Sequence, residues 1–412
     1  MQLTACRGCG AGALHPVLSL GAQPPANALT DQPAPPDEAR YPLDLVICEA
    51  CSLVQLTVSV PPAELFSDYA YFSSYSPALV ANAEELVARI VPERGLGPDD
   101  LAMEIGSNDG YLLQHYRSRD LQVLGVDPAR NVAEVANANG IPTRCAFFGA
   151  EVAQELVEEG YRAAVCHANN VLAHVPDVNG VLSGISAVLA DDGIAVIETP
   201  YVRDLVEQLE FDTIYHEHLF YYSVTALEGL LRRNGLRMHD LEHIPVHGGS
   251  LRVFAVRDDG GEPGPTARRY LEEEAVQGVP EPQYFADFGQ RVDALRARLG
   301  ELLDELRGGG ATVAGYGAAA KATVLLNAVG ADARTLDFVA DRSPHKQGRF
   351  IPGVGIPIVD PEALLERQPD YVLLLAWNFA GEIMAQQADY RRRGGRFIIP
   401  VPEPRVIEPD GG

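Results

Sequence analysis

The stretch AMEIGSNDGYLL, residues 102–113, decides the fold of this chain. The apolar residues before Gly106 predict a buried strand, and the residues after it predict a glycine-rich turn and the start of a helix. Gly106 lets a ligand approach the backbone, Gly110 allows tight helix packing, and the turn amides, that of Asn108 included, would face a bound small molecule. Because Glu104 precedes a single crowded glycine, the pattern differs from the dinucleotide motif Gly-x-Gly-x-x-Gly and better suits a cationic amino-acid group.

Further apolar strands follow this turn, with helices between them. Strands and helices alternating at this spacing predict a parallel, doubly wound α/β sheet, whose ligands bind beyond the carboxyl ends of the strands. Asp127, Asn169 and Asn170 lie at two such ends, and Asp127 could accept both hydroxyl groups of a ribose. The predicted strands span residues 121–126, 161–165 and 193–198.

The composition bounds the number of domains and the possible partners. A chain of 412 residues is too long for one ordinary core, so we expect two or three domains. Its 32 basic and 57 acidic residues give a net charge of -25, which repels nucleic acids and anionic membranes. No apolar run approaches the roughly 20 residues of a membrane span, and no signal-peptide core precedes Cys6. We expect a cytoplasmic protein, monomeric or weakly dimeric, without nucleic-acid or membrane partners.

Four cysteines form two Cys-x-x-Cys motifs near the N-terminus. Cys6 and Cys9 make the first pair, and Cys48 and Cys51 make the second. Two such pairs complete a closed tetrahedral shell of four thiolates, which is typical of structural rather than catalytic zinc. Four unligated thiols are the alternative.

The most unusual local sequence begins at Tyr215 and reads YHEHLFYY. Its histidines, tyrosines and carboxylate could move a proton, with Tyr215, Glu217 and His218 as the candidate catalytic residues. Metal binding by His216, Glu217 and His218 is the rival interpretation. It is disfavoured because neighbouring strand residues point to opposite faces and because the helical His-Glu-x-x-His spacing is absent.

Two other segments could contact a sugar. Residues 67–76 are rich in Tyr and Ser, and could either cover an active site or pack as an ordinary linker. The sequence of residues 245–256 predicts an edge strand with two adjacent glycines near its start. The polar side chains of this strand could face the cleft. With Tyr222, the candidate substrate-binding residues of these segments are Tyr71, Ser73, His247, Ser250 and Arg252.

A second α/β sheet is predicted after residue 310. Gly315, Gly317 and Ala320 fit the permissive dinucleotide pattern, and the next predicted strand ends in Asp341, which taken alone suggests NAD. Lys321, beside this turn, is equally suited to the diphosphate of another nucleotide. The candidate substrate-binding residues here are Tyr316, Lys321, Lys346, Arg349, Trp377 and Asn378.

The first of these sheets resembles the class I S-adenosylmethionine-dependent methyltransferases. Glu104, Gly106 and Gly110 match the first motif of that class, and Asp127 matches the second. An unrelated Rossmann-like domain is the alternative. The cofactor-binding residues implied are Glu104, Gly106, Asn108, Gly110, Asp127, Asn169 and Asn170.

The whole chain resembles the C-methyltransferases that modify nucleotide-linked keto-deoxysugars in antibiotic sugar biosynthesis. Three dissimilar features carry the resemblance: the cysteine pairs, a methyltransferase core with Tyr-His-Glu-His, and the second Rossmann-like region. The chain divides into a zinc-binding domain (1–66), a methyltransferase domain (67–258) and a Rossmann-like domain that anchors the nucleotide sugar (259–412). The supporting phrases are QPPAN (23–27), YAYFSS (69–74), YHEH (215–218), HGGSLR (247–252), KQGRF (346–350), PG (352–353) and WN (377–378).

The resemblance implies methyl transfer from S-adenosylmethionine to a sugar carbon next to a ketone, with a dTDP-linked keto-deoxysugar as substrate. His218 or Tyr215 would take the carbon's proton, with Glu217 orienting or polarising the base. The family also places Tyr69 and His174 beside the reacting sugar. An O-methyltransferase, an NAD-dependent sugar oxidoreductase and a zinc-dependent binding scaffold are the alternatives.

Overall fold

The computed structural model describes residues 3–61, 72–245 and 248–409. The predicted site residues Tyr69, Tyr71 and His247 therefore lie outside the described residues. The strands within the described ranges form three sheets, one in each predicted part of the chain. The predicted α/β class, with a cysteine-bearing N-terminal region and two Rossmann-like sheets, is confirmed.

The N-terminal region is a small antiparallel sheet completed by a strand from the middle of the chain. Its three own strands pair in sequence order, and Cys48 ends the second. The fourth strand, Phe220–Tyr221, pairs with Val54 and Gln55. This pairing holds residues 215–218, the predicted proton-transfer segment, against the N-terminal region. The three N-terminal strands are β1 (Leu14–Gln23), β2 (Tyr41–Cys48) and β3 (Val54–Leu56).

The middle of the chain folds into a larger sheet whose strands are connected by helices. The strands of this sheet are β4 (Leu101–Ile105), β5 (Gln122–Asp127), β6 (Thr143–Cys145), β7 (Ala163–Asn169), β8 (Leu189–Pro200), β10 (Leu236–Ile244) and β11 (Ser250–Arg257). Strand β9 (Phe220–Tyr221) lies between β8 and β10 in the sequence but belongs to the N-terminal sheet. The helices are α1 (Pro77–Arg94), α2 (Leu113–Arg117), α3 (Arg130–Ala138), α4 (Ala150–Glu158), α5 (Val178–Val188), α6 (Val202–Glu207) and α7 (Val224–Arg233). The sheet order is β10-β11-β8-β7-β4-β5-β6. Central β4 is buried at every residue, so the turn after it opens in the middle of the sheet's carboxyl edge.

Local sequence signals set the ends of the flanking helices. Ser76 caps α1 by accepting a hydrogen bond from the amide of Leu79, and Pro77 occupies the first helical position, where its missing N–H costs nothing. Gly95 ends that helix in the left-handed conformation. Ser223 caps α7 in the same way as Ser76 caps α1.

The prediction that residues 245–256 form an edge strand is wrong. β11 lies between β8 and β10 and is antiparallel to both, so β10 is the edge and the sheet is not wholly parallel. The hairpin between β10 and β11 folds back into the sheet, which buries Ser250, Leu251 and Arg252. An apolar run marks a strand but does not say which neighbour it pairs with, so the sequence could not give this order.

The C-terminal region is a second Rossmann-like sheet, parallel except for its last strand. The strands are β12 (Val313–Tyr316), β13 (Val339–Ala340), β14 (Ile358–Val359), β15 (Tyr371–Leu374), β16 (Arg396–Ile399) and β17 (Arg405–Ile407), in the order β14-β13-β12-β15-β16-β17. The helices are α8 (Pro265–Gln277), α9 (Phe288–Gly308), α10 (Ala320–Val329), α11 (Ala363–Arg367), α12 (Ala380–Gln386) and α13 (Ala388–Arg392). Short 3-10 helices span Ser73–Tyr75, Phe211–Thr213, Pro282–Phe285 and Trp377–Phe379.

The N-terminal and C-terminal regions touch each other directly. Thr30 forms a β-bridge with Phe350, and Arg349 donates a hydrogen bond to the carbonyl of Leu29 at 2.6 Å. None of the helices within the described ranges is long and apolar enough to cross a membrane.

Candidate active site

A cleft of about 1550 Å³ lies where the three regions meet. Its walls come from the N-terminal segment around Asn27, the carboxyl edge of the middle sheet, the start of α10, and the loops after β13 and β15. The sequence-predicted residues that line it are Ser73, Gly106, Asn108, Asp127, Asn169, Asn170, His174, Tyr215, Glu217, His218, Lys321, Lys346, Arg349 and Asn378. One cavity thus joins residues predicted for cofactor, catalysis and substrate.

The turn after β4 forms the cofactor end of this cleft. Gly106 has a φ of +66°, and a Cβ there would lie 2.7 Å from Cγ2 of Val171, so only glycine fits. Asp127 accepts backbone hydrogen bonds from Asn108 and Ala129, both at 2.8 Å, through different oxygens. Each oxygen keeps a lone pair, so this buried carboxylate can still accept ribose hydroxyls.

Glu104 and Gly110 support this turn from behind the cleft wall. Glu104 is 1% exposed, and its Oε2 has no hydrogen-bond partner among the described residues. Burial first, and then the charges of Asp127, Asp109 and Glu198, raise the pKa of Glu104 well above its usual range. Glu104 can therefore accept one more hydrogen bond at the turn, although it does not line the described cleft. Gly110 instead packs so closely against Ile141 that a Cβ at residue 110 would lie 3.0 Å from Cγ1 of Ile141, and it borders a smaller neighbouring pocket.

Asn108 links the cofactor turn to the segment before α1. Its φ is +51°, and its side-chain oxygen accepts a hydrogen bond from the backbone amide of Ser73 at 2.9 Å. Ser73 is therefore held over the cofactor end of the cleft.

The catalytic candidates form a hydrogen-bonded chain on the cleft wall. The hydroxyl of Tyr215 lies 2.7 Å from Nε2 of His218, and Nδ1 of His218 lies 3.1 Å from the carbonyl of Thr213. A carbonyl only accepts, so Nδ1 carries the proton and Nε2 is the basic nitrogen. Thr213 thus orients the ring, which is the role that the sequence-based prediction gave to Glu217.

His174 packs against this chain, with its ring centroid 4.8 Å from that of His218. Burial lowers the pKa of His174 to about 4, against the opposing effect of a hydrogen bond to the Glu217 backbone. The ring is therefore neutral at physiological pH.

Glu217 faces the cleft next to His218 and is 4% exposed. Its two carboxylate oxygens accept hydrogen bonds from the side-chain amide of Asn27, at 2.9 and 2.8 Å. Burial raises the pKa of Glu217 to about 7, and Asn27 and Lys346 oppose that rise. His216 points the other way, with Nε2 3.2 Å from the carbonyl of Tyr41, and it does not line the described cleft wall.

Tyr222, Ser250 and Arg252 were predicted to contact substrate, but the described structure buries all three behind the cleft wall. The hydroxyl of Tyr222 donates to the carbonyl of Leu172 at 2.9 Å. Arg252 forms an ion pair with Glu198 at 2.7 Å, because an arginine on an interior strand must be neutralised where it lies. Arg252 therefore acts on the cleft only through its neighbours.

In the C-terminal region, Lys321 and Trp377 form a partly buried cluster. Nζ of Lys321 donates to Oδ1 of Asn378 at 2.8 Å and lies 4.3 Å from the centroid of the Trp377 ring. The indole N–H of Trp377 donates to Asp212 at 2.7 Å. Trp377 is not among the described lining residues and therefore lies behind the cleft wall. Tyr316 is also set back, with its hydroxyl 3.4 Å from the side-chain amide of Gln387.

A loop after β13 carries further polar groups of the cleft. Lys346 donates to the carbonyl of Ala318 at 2.8 Å, and the amide of Ala318 donates to Asp341 at 2.7 Å. Asp341 lines the cleft and accepts backbone hydrogen bonds from Ala318 and Ser343 through different oxygens, the same arrangement as at Asp127. The sequence-based predictions missed the lining residues Asn27, Asn82, Phe147, Glu198, Glu210, Thr213, Arg342, Ser343, His345 and Phe379. Of these, Arg342, Ser343 and His345 could have been found from the sequence, because they lie beyond the carboxyl end of a parallel strand, where ligands bind.

The four N-terminal cysteines meet the geometric demands of a zinc site. Their sulfur atoms lie within 4.8 Å of one another, and the Cys6–Cys51 and Cys9–Cys48 pairs are each 3.6 Å apart. A tetrahedron with Zn–S bonds of about 2.3 Å has edges of about 3.8 Å. The four thiolates would therefore hold one zinc ion with little movement.

The strand order, the glycine turn and the buried Asp127 define an S-adenosylmethionine-dependent methyltransferase. Family models match along the chain: "Putative zinc binding domain" at residues 6–66, "Methyltransferase domain" at 79–241 and "C-methyltransferase C-terminal domain" at 245–402.

The chain belongs to the C-methyltransferase family. It is 40% identical over 404 residues to the C-methyltransferase NovU of Streptomyces niveus, covering 98% of this chain and 96% of that protein. The predictions of a C-methyltransferase, of S-adenosylmethionine as cofactor and of a zinc-binding region are thereby confirmed.

Solved methyltransferase structures resemble less than half of the chain. Magnesium protoporphyrin IX methyltransferase of Synechocystis PCC 6803, with bound S-adenosylmethionine, is 16% identical, with a TM-score of 0.34 over 43% of this chain and 79% of that chain. A methyltransferase from Clostridium acetobutylicum ATCC 824 is 11% identical, with a TM-score of 0.35 over 43% of this chain and 91% of that chain. The family assignment rests on the sequence comparisons.

Proposed function

We propose that this protein methylates the carbon next to the ketone of a dTDP-linked keto-deoxysugar, in antibiotic deoxysugar biosynthesis. The observation that carries the proposal is the Tyr215–His218 pair, 2.7 Å apart, in a cleft shared by the cofactor turn and the C-terminal loops. Methylation at carbon requires a base, because a C–H carbon is not nucleophilic until its proton is removed. We place the reaction in the cytoplasm, where four clustered thiols stay reduced.

Tyr215 and His218 act as one base in this proposal. Whichever of them faces the sugar, the carbon's proton ends on the His218 ring, and its electron pair stays on the sugar as an enolate. The Thr213 carbonyl then stabilises the resulting imidazolium through Nδ1. The one N–H of neutral His174 donates to the Glu217 backbone, so His174 packs beside the base and the sugar without donating to the enolate oxygen. Tyr69 is placed nearby by family resemblance alone. When bound, S-adenosylmethionine supplies the electrophilic methyl group.

The C-terminal region holds the nucleotide diphosphate in this proposal. Four cations line the C-terminal part of the cleft, although the chain as a whole carries a net charge of -25; they are Lys321 in the first turn of α10, Arg342, Lys346 and Arg349. A local concentration of positive charge at a helix N-terminus favours a bound diphosphate. Asn378 is oriented by Lys321 and can bond to the nucleotide. These roles are assigned with the predicted domain boundaries, which lie between residues 66 and 67 and between residues 258 and 259.

Incubation with methyl-labelled S-adenosylmethionine and a panel of nucleotide-linked sugars tests this function. We expect label transfer only to 4-keto sugars, and none to the same sugars after borohydride reduction of the ketone. Transfer to the reduced sugars, or to none of the keto sugars, would overturn the proposal.

A further inference from the structure

The N-terminal region reaches into the cleft through a short segment, which we call the strap (residues 25–30). Pro25, Asn27 and Leu29 line the cleft, although they belong to the region that carries the zinc cysteines. The strap is held by the C-terminal region. Thr323 donates to the carbonyl of Ala26 at 2.8 Å, and Arg349 and Phe350 hold Leu29 and Thr30.

Asn27 is the strap residue that contacts a catalytic candidate. Its side-chain nitrogen donates one hydrogen bond to each carboxylate oxygen of Glu217, at 2.9 and 2.8 Å. An amide NH₂ group can only donate, so both oxygens of Glu217 must accept. This arrangement suits an ionised carboxylate, which accepts at both oxygens, better than a carboxylic acid, which needs an acceptor for its own proton.

Besides the Asn27 side chain, the described groups that favour the ionised form of Glu217 are the backbone amide of Asn27, which every Asn27 variant keeps, and Lys346. Lys346 lies close enough to oppose protonation, whereas His174 bonds only to the Glu217 backbone. Its chain neighbours His216 and His218 are engaged by Tyr41, Tyr215 and Thr213. Burial alone would favour the neutral acid. Asn27 is therefore a main contributor to the charge of Glu217.

We propose that Asn27 is a positioning residue whose side chain favours the ionised form of Glu217 and holds this carboxylate facing the sugar. The inference deepens the proposed function and rests on it for the role of Glu217. An ionised Glu217 accepts a hydrogen bond from a polar substituent of the sugar and stabilises the imidazolium that forms on adjacent His218. The N-terminal region thus contributes to the chemistry as well as carrying the metal site.

The direction of the effect on pH dependence follows from the hydrogen bonds. Donors to a carboxylate lower its pKa, so the Asn27→Ala variant should have a higher pKa at Glu217 than the wild-type value of about 7. A rise of about one unit would reduce the ionised fraction at pH 7 by about fivefold. The acid limb of the kcat profile should move upward by the same amount, and the rate should recover at alkaline pH.

Carbon-13 NMR of protein labelled at the glutamate carboxyl carbon measures this pKa without any reaction. The Glu217 resonance is identified by its loss in Glu217→Gln. We expect an upward shift in both Asn27→Ala and the smaller change Asn27→Ser, and no shift in Thr323→Val, which loosens the strap but keeps the amide. Zinc content and melting temperature check that each variant is folded. An unchanged Glu217 pKa in folded Asn27 variants would overturn the inference.

Turnover measurements separate this inference from the proposed function. The double variant Asn27→Ala, Glu217→Gln should be no slower than Glu217→Gln alone, because Asn27 acts through Glu217. If the losses of rate in the two single variants add up in the double variant, Asn27 does not act through Glu217. If wild-type protein methylates no keto sugar, the proposed function fails, while the NMR titration still decides whether Asn27 controls the ionisation of Glu217.

Discussion

Replacing His218 with Asn should abolish most methyl transfer while leaving both ligands bound. In the structure, Nε2 of His218 lies 2.7 Å from the Tyr215 hydroxyl, and Nδ1 is held by the Thr213 carbonyl at 3.1 Å. The His218→Asn variant loses the basic nitrogen that ends this chain. A positioned base contributes about 10²–10⁴-fold, or about 3–5 kcal/mol of barrier. Tyr215→Phe keeps the imidazole, so its loss should fall toward the lower end of that range.

Two assays separate loss of the base from loss of binding. Calorimetry should give unchanged dissociation constants for S-adenosylmethionine and the sugar in both variants. In deuterium oxide, wild-type protein should exchange the proton on the carbon next to the ketone, and His218→Asn should not.

His216→Asn is the matched control, because His216 is close in sequence but bonds to the Tyr41 carbonyl and is not itself among the described lining residues of the cleft. It should lose less than about tenfold in kcat and about 1 kcal/mol of stability, the value of one hydrogen bond. Full exchange and turnover in His218→Asn, or an equal loss in His216→Asn, would refute the reasoning.

The other predictions concern the metal, the cofactor and a buried tyrosine. Elemental analysis should find one zinc per chain, and chelation should lower the melting temperature, since a cluster of four thiolates is rarely stable without its metal; a metal-free folded protein would contradict this. Asp127→Ala should weaken S-adenosylmethionine binding by about 1–3 kcal/mol in calorimetry, because ribose hydroxyls lose their acceptor, and an unchanged affinity would remove Asp127 from the cofactor site. Tyr222→Phe should cost about 1 kcal/mol of stability in denaturant unfolding, because the Leu172 carbonyl loses its donor, while kcat stays within about threefold; a large loss of kcat without loss of stability would place Tyr222 in the cleft.

Features that depend on nearby residues could be predicted from the sequence. The turn at Gly106 and the acid at Asp127 each follow a buried strand, and the structure puts both on the same cleft. The cysteine pairs could also be predicted as ligands, because each Cys-x-x-Cys pair is set by local geometry.

Features that depend on distant pairing could not be predicted. β11 is recognisable as a strand in the sequence, but its place between β8 and β10 depends on a hairpin that folds back into the sheet. Tyr222 has the same residue type as Tyr215 but lies in the core, because the chain direction after His218 turns it toward Leu172. Asn27 and Glu217 are 190 residues apart in the sequence and are brought together by the pairing of β9 with the N-terminal sheet. No local sequence pattern predicts that contact.

The central claim is that the methyl group is transferred to a carbon that this protein has deprotonated. The most direct test is NMR of the product formed from carbon-13 methyl-labelled S-adenosylmethionine and a dTDP-linked 4-keto sugar. The account predicts a methyl carbon with the chemical shift of a C–CH₃ group, coupled to the ring carbon next to the ketone. A methyl carbon with the shift of an O–CH₃ group, or a product that keeps every proton of that ring carbon, would contradict it.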